Sequence, residues 1–345
     1  MPHDHHTELL EQLSFPAFAV KDGIIFFANA AAIERHIHAG KAIDDILESK
    51  TEAYEDMPQG RLCLQLNIQG TTYEASVIRA SEYDIFYLES EAAIPELRSL
   101  VVASQSLRSS LAEAMLYADK LEGDDSAKLR HSLYKLHRAI SNMSDAATYE
   151  KVRPTTLATC HISSLFHEIL EKAATQLEKA GITLEYHCPN TAIFTPVDTE
   201  KLERGVLNMI SNAAKFNDGS TPIRAELHCT MERFLFSVYS HSNNSGQQIY
   251  SNLFSAYRRE ITIPTAQQGI GLGMTIARRA AHVHGGTLMF DQPEPGVVRL
   301  TMAIPISSHG TLTLHSPGGY QLDYAGGYDH VLLELSDVLP DELYL

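Results

Sequence analysis

The 345-residue chain has no apolar run that approaches the roughly 20 residues needed to span a bilayer. Its first residues, 1–6, also lack the apolar stretch of a secretory signal peptide. The sequence therefore predicts no membrane span and a cytoplasmic location.

Basic residues and paired cysteines are also scarce. The 27 Lys and Arg against 43 Asp and Glu give a formal net charge of −16, which argues against the basic surface of a nucleic-acid-binding protein. Cys63, Cys160, Cys188 and Cys229 stand singly, without the CxxC spacing of a metal or redox site. We therefore expect reduced thiols and no nucleic-acid partner.

Two amides and an ammonium group recur along one predicted helix. Asn208, Asn212 and Lys215 are spaced i, i+4 and i+7, which places them on one stripe beside an apolar face. Such a stripe either lies in solvent or presents ligands to an anion or metal. The apolar face consists of Leu202, Val206, Met209, Ile210 and Ala213.

A glycine-rich run opens a second helical pattern downstream. Gly269, Gly271 and Gly273 precede the apolar positions Ile276 and Ala280. Glycines before a helix N-terminus allow backbone N–H groups to approach phosphate oxygens, and the helix dipole favours the negative charge. Together with the amide stripe, this run predicts a nucleotide site.

These motifs resemble those of the ATP-binding domain of two-component sensor histidine kinases, within the gyrase and heat-shock chaperone ATPase superfamily. Residues 208–216 resemble the N box, 252–259 the F box and 269–273 the second glycine box. The resemblance implies an α/β sandwich over residues 159–306, with helices on one face of a mixed sheet. It also implies ATP and Mg²⁺ as cofactors.

The resemblance assigns a role to each site residue. Asn212 is expected to hold Mg²⁺ and Asn208 to support it, which agrees with the preference of Mg²⁺ for oxygen ligands. Lys215 is expected to meet phosphate and Phe216 to lie near the base. Arg259 is expected to reach phosphate as a bidentate donor.

Residues 95–151 carry two helical runs that resemble the dimerisation and phosphotransfer hairpin of the same kinases. In the second run the apolar residues step four, three, four, three, four, which is typical of a coiled-coil seam. A hairpin with this much apolar surface predicts a homodimer that forms a four-helix bundle. The seam positions are Leu129, Leu133, Leu136, Ile140, Met143 and Ala147.

Two positions depart from the kinase pattern. Gln105 stands where the family has its phosphoacceptor histidine, and an amide nitrogen is not a usable nucleophile. Ser240 stands where the first glycine box has the aspartate that binds adenine, a loss worth about 1.5–3 kcal/mol. His131 and His137 offer alternative acceptors, but their positions beside the seam favour flanking residues on a solvated helix face.

The ends of the chain complete the predicted architecture, an α+β multidomain protein. Residues 1–94 resemble a PAS sensory domain, with a hairpin signal at Asp22 and Gly23 and a strand that ends at Asn29. Residues 307–345 form a C-terminal extension beyond the family domain. This extension is too apolar for a disordered tail, and we expect it to pack on its own ATP-binding domain or on a partner.

The sequence as a whole predicts a degenerate histidine kinase with weak or no autophosphorylation. Its expected role is to relay a signal to a response regulator or another kinase. One alternative is an active ATP-dependent kinase or ATPase with a non-standard acceptor. Another is an interaction module that binds no nucleotide.

Overall fold

The computed structural model describes residues 10–11, 13, 16–47, 54, 60–79, 83–88, 95–147, 157–190, 192–241, 273–306 and 325–345. They belong to two compact units, one of Met1–Ala92 with Thr287–Gln292 and the other of Ala93–Gly286 with Pro293–Leu345. Among these residues, no helix combines the length and apolarity that crossing a membrane requires.

The strands and helices are numbered in chain order. The strands are β1 (Ala17–Lys21), β2 (Ile24–Ala28), β3 (Gly60–Ile68), β4 (Thr71–Arg79), β5 (Asp84–Leu88), β6 (Ala158–His161), β7 (Leu184–His187), β8 (Phe194–Val197), β9 (Ile223–Cys229), β10 (Arg233–His241), β11 (Thr287–Glu294) and β12 (Val297–Pro305). The helices are α1 (Ala30–Ile33), α2 (Pro95–Ala118), α3 (Asp124–Ala147), α4 (Ile162–Lys179), α5 (Thr199–Phe216), α6 (Gly273–Val283) and α7 (His330–Glu334).

The first unit is built on an antiparallel sheet with the order β2-β1-β5-β4-β3. Asp22 and Gly23, with φ values of 52° and 74°, form the predicted hairpin turn between β1 and β2. Asn29 ends β2 and is fully buried. Its side chain accepts hydrogen bonds from the N–H groups of Ala17 and Ala32, which ties the sheet to the start of α1.

The second unit begins with the predicted helical hairpin, α2 and α3, which Gly123 joins at a φ of 102°. The inner face of the hairpin buries Leu111 and Met115 of α2 against Ile140 of α3. Leu129 and Leu136 of the predicted seam are instead 42% and 49% exposed. Some residues of the predicted seam therefore lie inside the hairpin, and others form an exposed apolar face on its outside.

The second unit also contains a mixed sheet with the order β12-β10-β9-β7 and a two-stranded sheet of β6 and β8. β7 runs parallel to β9, and the other neighbours are antiparallel. Side chains alternate along β10, so that Phe234 and Phe236 are buried and contact Phe166 of α4. The predicted mixed sheet with a helix layer on one face is therefore present.

The N-terminus of α5 is fixed by two side chains. Asp198 accepts a hydrogen bond from the Lys201 N–H at 3.0 Å, as a residue that caps the N-terminus of a helix does. The Asp198 N–H itself donates to His284 Nε2 at 2.9 Å, while His284 Nδ1 lies 2.6 Å from the Ala280 carbonyl oxygen. His284 therefore connects the end of α6 to the start of α5 as a neutral imidazole that donates from Nδ1.

This contact predicts a pH-dependent stability. Burial lowers the pKa of His284, so the unfolded chain binds the proton more readily than the folded one. The free energy of unfolding should fall as the pH drops below about 6.5, the usual histidine value. Urea denaturation at pH 7.5 and 5.5 should show a smaller difference for His284→Gln than for the native chain. The exposed His228, changed to Gln, is the control, and equal differences in all three proteins would contradict the assignment.

Candidate functional site

The amide stripe lies on α5, as the sequence predicted. All five predicted apolar positions of this helix are buried, from Leu202 to Ala213. Asn208 is also fully buried, and its Nδ2 donates to the Arg204 carbonyl oxygen one turn earlier, at 2.9 Å. Asn212 and Lys215 are partly exposed. The stripe therefore faces other parts of the protein, and the alternative that it is simply a solvated helix face is excluded.

Gly273 at the start of α6 lies directly against the stripe. A Cβ atom at this position would come within 2.8 Å of Asn208 Oδ1 and 3.4 Å of Asn212 Nδ2. No larger residue fits there without moving the amides. The structure thus brings together the last glycine of the predicted glycine box and both asparagines, which are more than 60 residues apart in sequence.

Asn212 has an unsatisfied polar atom. Its Nδ2 is buried and has no hydrogen-bond partner among the described residues. A buried polar group without a partner costs free energy, which a bound ligand or water would recover. The amide oxygens of Asn208 and Asn212 are also of the type that Mg²⁺ prefers. The Asn212 side chain therefore fits the predicted ligands, because its Nδ2 can donate to a phosphate oxygen and its amide oxygen suits Mg²⁺.

A buried carboxylate contacts Asn208, the first residue of the stripe. Glu334, the last residue of α7, is completely buried. Its Oε1 accepts from Arg204 Nε at 2.8 Å, and its Oε2 accepts from Asn208 Nδ2 at 2.9 Å and from Arg138 Nε at 3.2 Å. We call Arg138, Arg204, Asn208 and Glu334 the Glu334 cluster.

Arg138 of α3 contacts both the stripe and the C-terminal residues. Its Nη2 donates to Asn208 Oδ1 at 3.2 Å and to Ser211 Oγ at 3.0 Å. Its Nη1 lies 2.9 Å from a carboxylate oxygen of Asp337. One guanidinium group therefore joins the helical hairpin, the amide stripe and the end of the chain.

Charge in the cluster favours an ionised carboxylate. Burial alone would raise the pKa of Glu334, but the guanidinium groups of Arg204 and Arg138 and the Asn208 hydrogen bond outweigh it and lower the pKa. Burial lowers the pKa of Arg108 on α2, and the nearby positive charge of Arg204 lowers it further. The positive charges of Arg108, Arg138 and Arg204 therefore outnumber the single negative charge of Glu334.

Lys215, the last residue of the stripe, faces a second carboxylate. Its Nζ lies 3.7 Å from Asp337 Oδ2, the same oxygen that contacts Arg138. Burial lowers the pKa of Lys215, and the charge of Asp337 opposes that effect. Two of the three stripe residues thus contact carboxylates from the end of the chain.

The prediction that His131 and His137 lie on a solvated face is wrong. Both are buried, with exposures of 4% and 8%. His131 Nδ1 contacts the carboxylate of Asp341, its Nε2 lies 2.7 Å from the Ser336 carbonyl oxygen, and its ring stacks on Tyr344. The reason is that residues 325–345 cover this side of α3, which the heptad pattern cannot reveal. Because both nitrogens of His131 are occupied, the ring is not available as a nucleophile in this arrangement.

Ser240 occupies the helix-facing side of β10, in line with the buried Phe236 and Val238. The side chain of Phe216 is 39% exposed at the end of α5. Gln105 lies in α2, but its side chain is outside the described part of the structure. Arg259, Gly269 and Gly271 also fall outside the described residues, so their roles remain predictions.

Residues 197–308 match the family described as histidine kinase-, DNA gyrase B- and HSP90-like ATPase. This segment matches an ATPase domain of the kind shared by histidine kinases, DNA gyrase B and HSP90. Within the chain, the ATPase domain contains α5, the amide stripe and Gly273, and Glu334 reaches it from the C-terminal residues. The family match thus covers the described part of the predicted nucleotide site.

The curated relatives are sensor kinases. Over 159 residues, the chain is 28% identical to hybrid signal transduction histidine kinase D of Dictyostelium discoideum, covering 43% of this chain and 10% of that protein. Over 130 residues it is 27% identical to sensor protein KdpD of Escherichia coli K12, covering 36% and 14%. The chain therefore spans less than a fifth of the length of either relative.

A solved structure shares the fold. The crystal structure of full-length ShkA in complex with AMPPNP matches with a TM-score of 0.50 at 18% identity, over 62% of this chain and 47% of that one. This supports a mixed α/β protein with a histidine kinase ATPase-type fold. The chain is similar to two-component sensor histidine kinases in sequence and in fold.

Sequence reasoning missed Arg138, Arg204, Glu334 and Asp337. A signal for Glu334 exists, because it is the one charge within the apolar run 331–335. A carboxylate in such a run is buried only when it is paired. Its partners could not be named, since they lie 126 to 196 positions away.

Removing the buried carboxylate should be strongly destabilising. Glu334→Ala removes the buried carboxylate that both Arg204 and Arg138 contact and leaves Arg138 with only Asp337, so we expect a loss of about 3–5 kcal/mol in the free energy of unfolding. Urea denaturation followed by circular dichroism measures this. Glu342→Ala, at an exposed position of the same segment, should change it by less than about 0.5 kcal/mol. Similar midpoints for the two variants would show that the cluster contributes nothing to stability.

Proposed function

We propose that the chain is a histidine kinase-like signalling protein that binds nucleotide with Mg²⁺ and has lost autophosphorylation. The observation that supports nucleotide binding is the packing of Gly273 against Asn208 and Asn212. At this contact the Asn212 amide nitrogen is buried and has no hydrogen-bond partner among the described residues. In this proposal Asn212 holds Mg²⁺, Asn208 supports it and Lys215 meets phosphate. Phosphoryl groups are stabilised mainly by such charge neutralisation and positioning.

The loss of autophosphorylation rests on two positions in separate parts of the chain. Gln105 in α2 offers no nucleophile for phosphoryl transfer. Ser240 in β10 offers a neutral hydroxyl to adenine where the family has a carboxylate. The burial of His131 and the occupation of both its ring nitrogens argue against it as a substitute acceptor.

The proposed signalling route begins in the first unit. Its strand order, β2-β1-β5-β4-β3, with α1 between β2 and β3, supports a PAS-like sensory domain. The hairpin of α2 and α3 is proposed to form a dimeric four-helix bundle. The proposed receivers are a response regulator or another kinase.

An assay with γ-labelled ATP and Mg²⁺ tests the loss of kinase activity. We expect no acid-labile label on the chain, because Gln105 replaces the acceptor. Acid-labile label that disappears in Asn212→Ala would overturn the proposal and favour an active kinase with another acceptor.

The same proteins should be titrated with Mg²⁺ and ADP in a calorimeter. Binding that is lost in Asn212→Ala and requires Mg²⁺ is expected. If no binding occurs at millimolar ADP, the interaction-module alternative replaces the nucleotide proposal.

The exposed leucines of the hairpin predict a dimer interface. Leu107 and Leu136 are each 49% exposed on the helical hairpin. Replacing both with Glu would place charges in the proposed bundle core, so the molar mass from light scattering should fall from dimer to monomer. Met231→Glu, at a loop position that is 94% exposed, should leave the mass unchanged. A monomeric native chain at micromolar concentration would contradict the dimer.

A further inference from the structure

We propose that the C-terminal segment, residues 325–345, is an intramolecular ligand of the nucleotide site, so that nucleotide and the docked segment bind exclusively. This inference rests on the proposed function, because it specifies how that same site is regulated. Its chemical basis is that carboxylates of the segment contact two residues of the proposed site, Lys215, which would meet phosphate, and Asn208, which would support Mg²⁺. The segment therefore acts as a built-in competitor of the nucleotide.

The overlap is visible residue by residue. Asn208 Nδ2 donates to Glu334 Oε2 at 2.9 Å, and Lys215 Nζ lies 3.7 Å from Asp337 Oδ2. Between them on the same stripe, Asn212 keeps a buried amide nitrogen without a hydrogen-bond partner among the described residues. Carboxylate and phosphate oxygens are both anionic acceptors that bind guanidinium, ammonium and amide groups. The two carboxylates thus contact the first and last residues of the stripe, on either side of the Asn212 amide nitrogen.

Charge suggests why the nucleotide can compete. Arg138, Arg204 and Lys215 face Glu334 and Asp337, and the buried part of Arg108 lies close to Arg204. Four cations therefore meet two carboxylates within this set of residues. A nucleotide polyphosphate offers these cations several anionic oxygens, each an acceptor of the same kind as a carboxylate oxygen.

The rest of the segment anchors it on both helices. Val331, Leu333 and Leu335 are buried, and His330 Nδ1 lies 2.9 Å from the Glu203 carboxylate of α5. On α3, Tyr344 stacks on His131, and its hydroxyl donates to the Leu332 carbonyl oxygen at 2.9 Å. These contacts hold α7 at the stripe and make the docked state the stable one.

Exclusive binding has a measurable consequence. When only a fraction of the molecules has an open site, the apparent dissociation constant rises by the inverse of that fraction. If the docked state holds about 90% of the chains, weakening it should tighten nucleotide binding by up to about tenfold. Binding should also release the segment, since the two share Asn208 and Lys215.

The test uses neutral isosteres in the full chain. Glu334→Gln combined with Asp337→Asn keeps the shape of both side chains and removes the charges that compete with phosphate. Calorimetry with Mg²⁺ and ADP should give a dissociation constant about tenfold lower than that of the native chain. Glu342→Gln, an exposed change in the same segment, should leave the constant unchanged, and Asn212→Ala should abolish binding in each background.

Hydrogen exchange of the native chain is the second measurement, and it holds even if the double variant unfolds. Saturating ADP with Mg²⁺ should accelerate the exchange of amides 331–339. Unchanged exchange under saturation, or equal affinity in the native chain and a folded double variant, would overturn the inference and leave the nucleotide site standing. If no protein in the series binds ADP, the proposed function fails as well.

Discussion

The ion pairs of a single buried carboxylate tie three parts of the second unit together. Glu334 is fully buried and receives hydrogen bonds from Arg138 of the hairpin and from Arg204 and Asn208 of the ATPase domain. Burying a charge is costly unless it is paired and hydrogen-bonded, and here both carboxylate oxygens are satisfied. The contact between hairpin, ATPase domain and C-terminal segment therefore depends on this carboxylate remaining in place.

The same interaction connects the fold with the proposed site. Asn208 serves both as a member of the predicted nucleotide stripe and as a partner of Glu334. Gly273 fixes the opposite side of this asparagine through close packing. The Glu334 cluster and the proposed ligand site thus share one amide group, so the proposed function couples stability to nucleotide binding.

Local patterns were sufficient for much of the fold and for the stripe. The 3.6-residue period placed Leu202, Val206 and Met209 on the buried face of α5, and Asp22 with Gly23 marked a hairpin turn. Both features depend on neighbours within a few residues.

Contacts between distant segments could not be predicted in the same way. The heptad pattern of α3 contains no information about residues 325–345. It therefore predicts a solvated position for His131, whereas that segment buries the residue. The sequence gives no sign that Arg138 and Arg204 are buried, because Glu334, the carboxylate that pairs with them, lies far away in the sequence. Glu334 alone carried a usable signal, an isolated charge in an apolar run.

The position of Arg138 on α3 has a mechanical consequence. A side-chain tip at about 5–6 Å from the axis of a helix moves roughly 3 Å when the helix turns by about 30°. That displacement equals the 2.9–3.2 Å that separate the Arg138 guanidinium from Asp337, Ser211, Asn208 and Glu334. Axial rotation of α3 by this amount would thus break several of these contacts in a single movement.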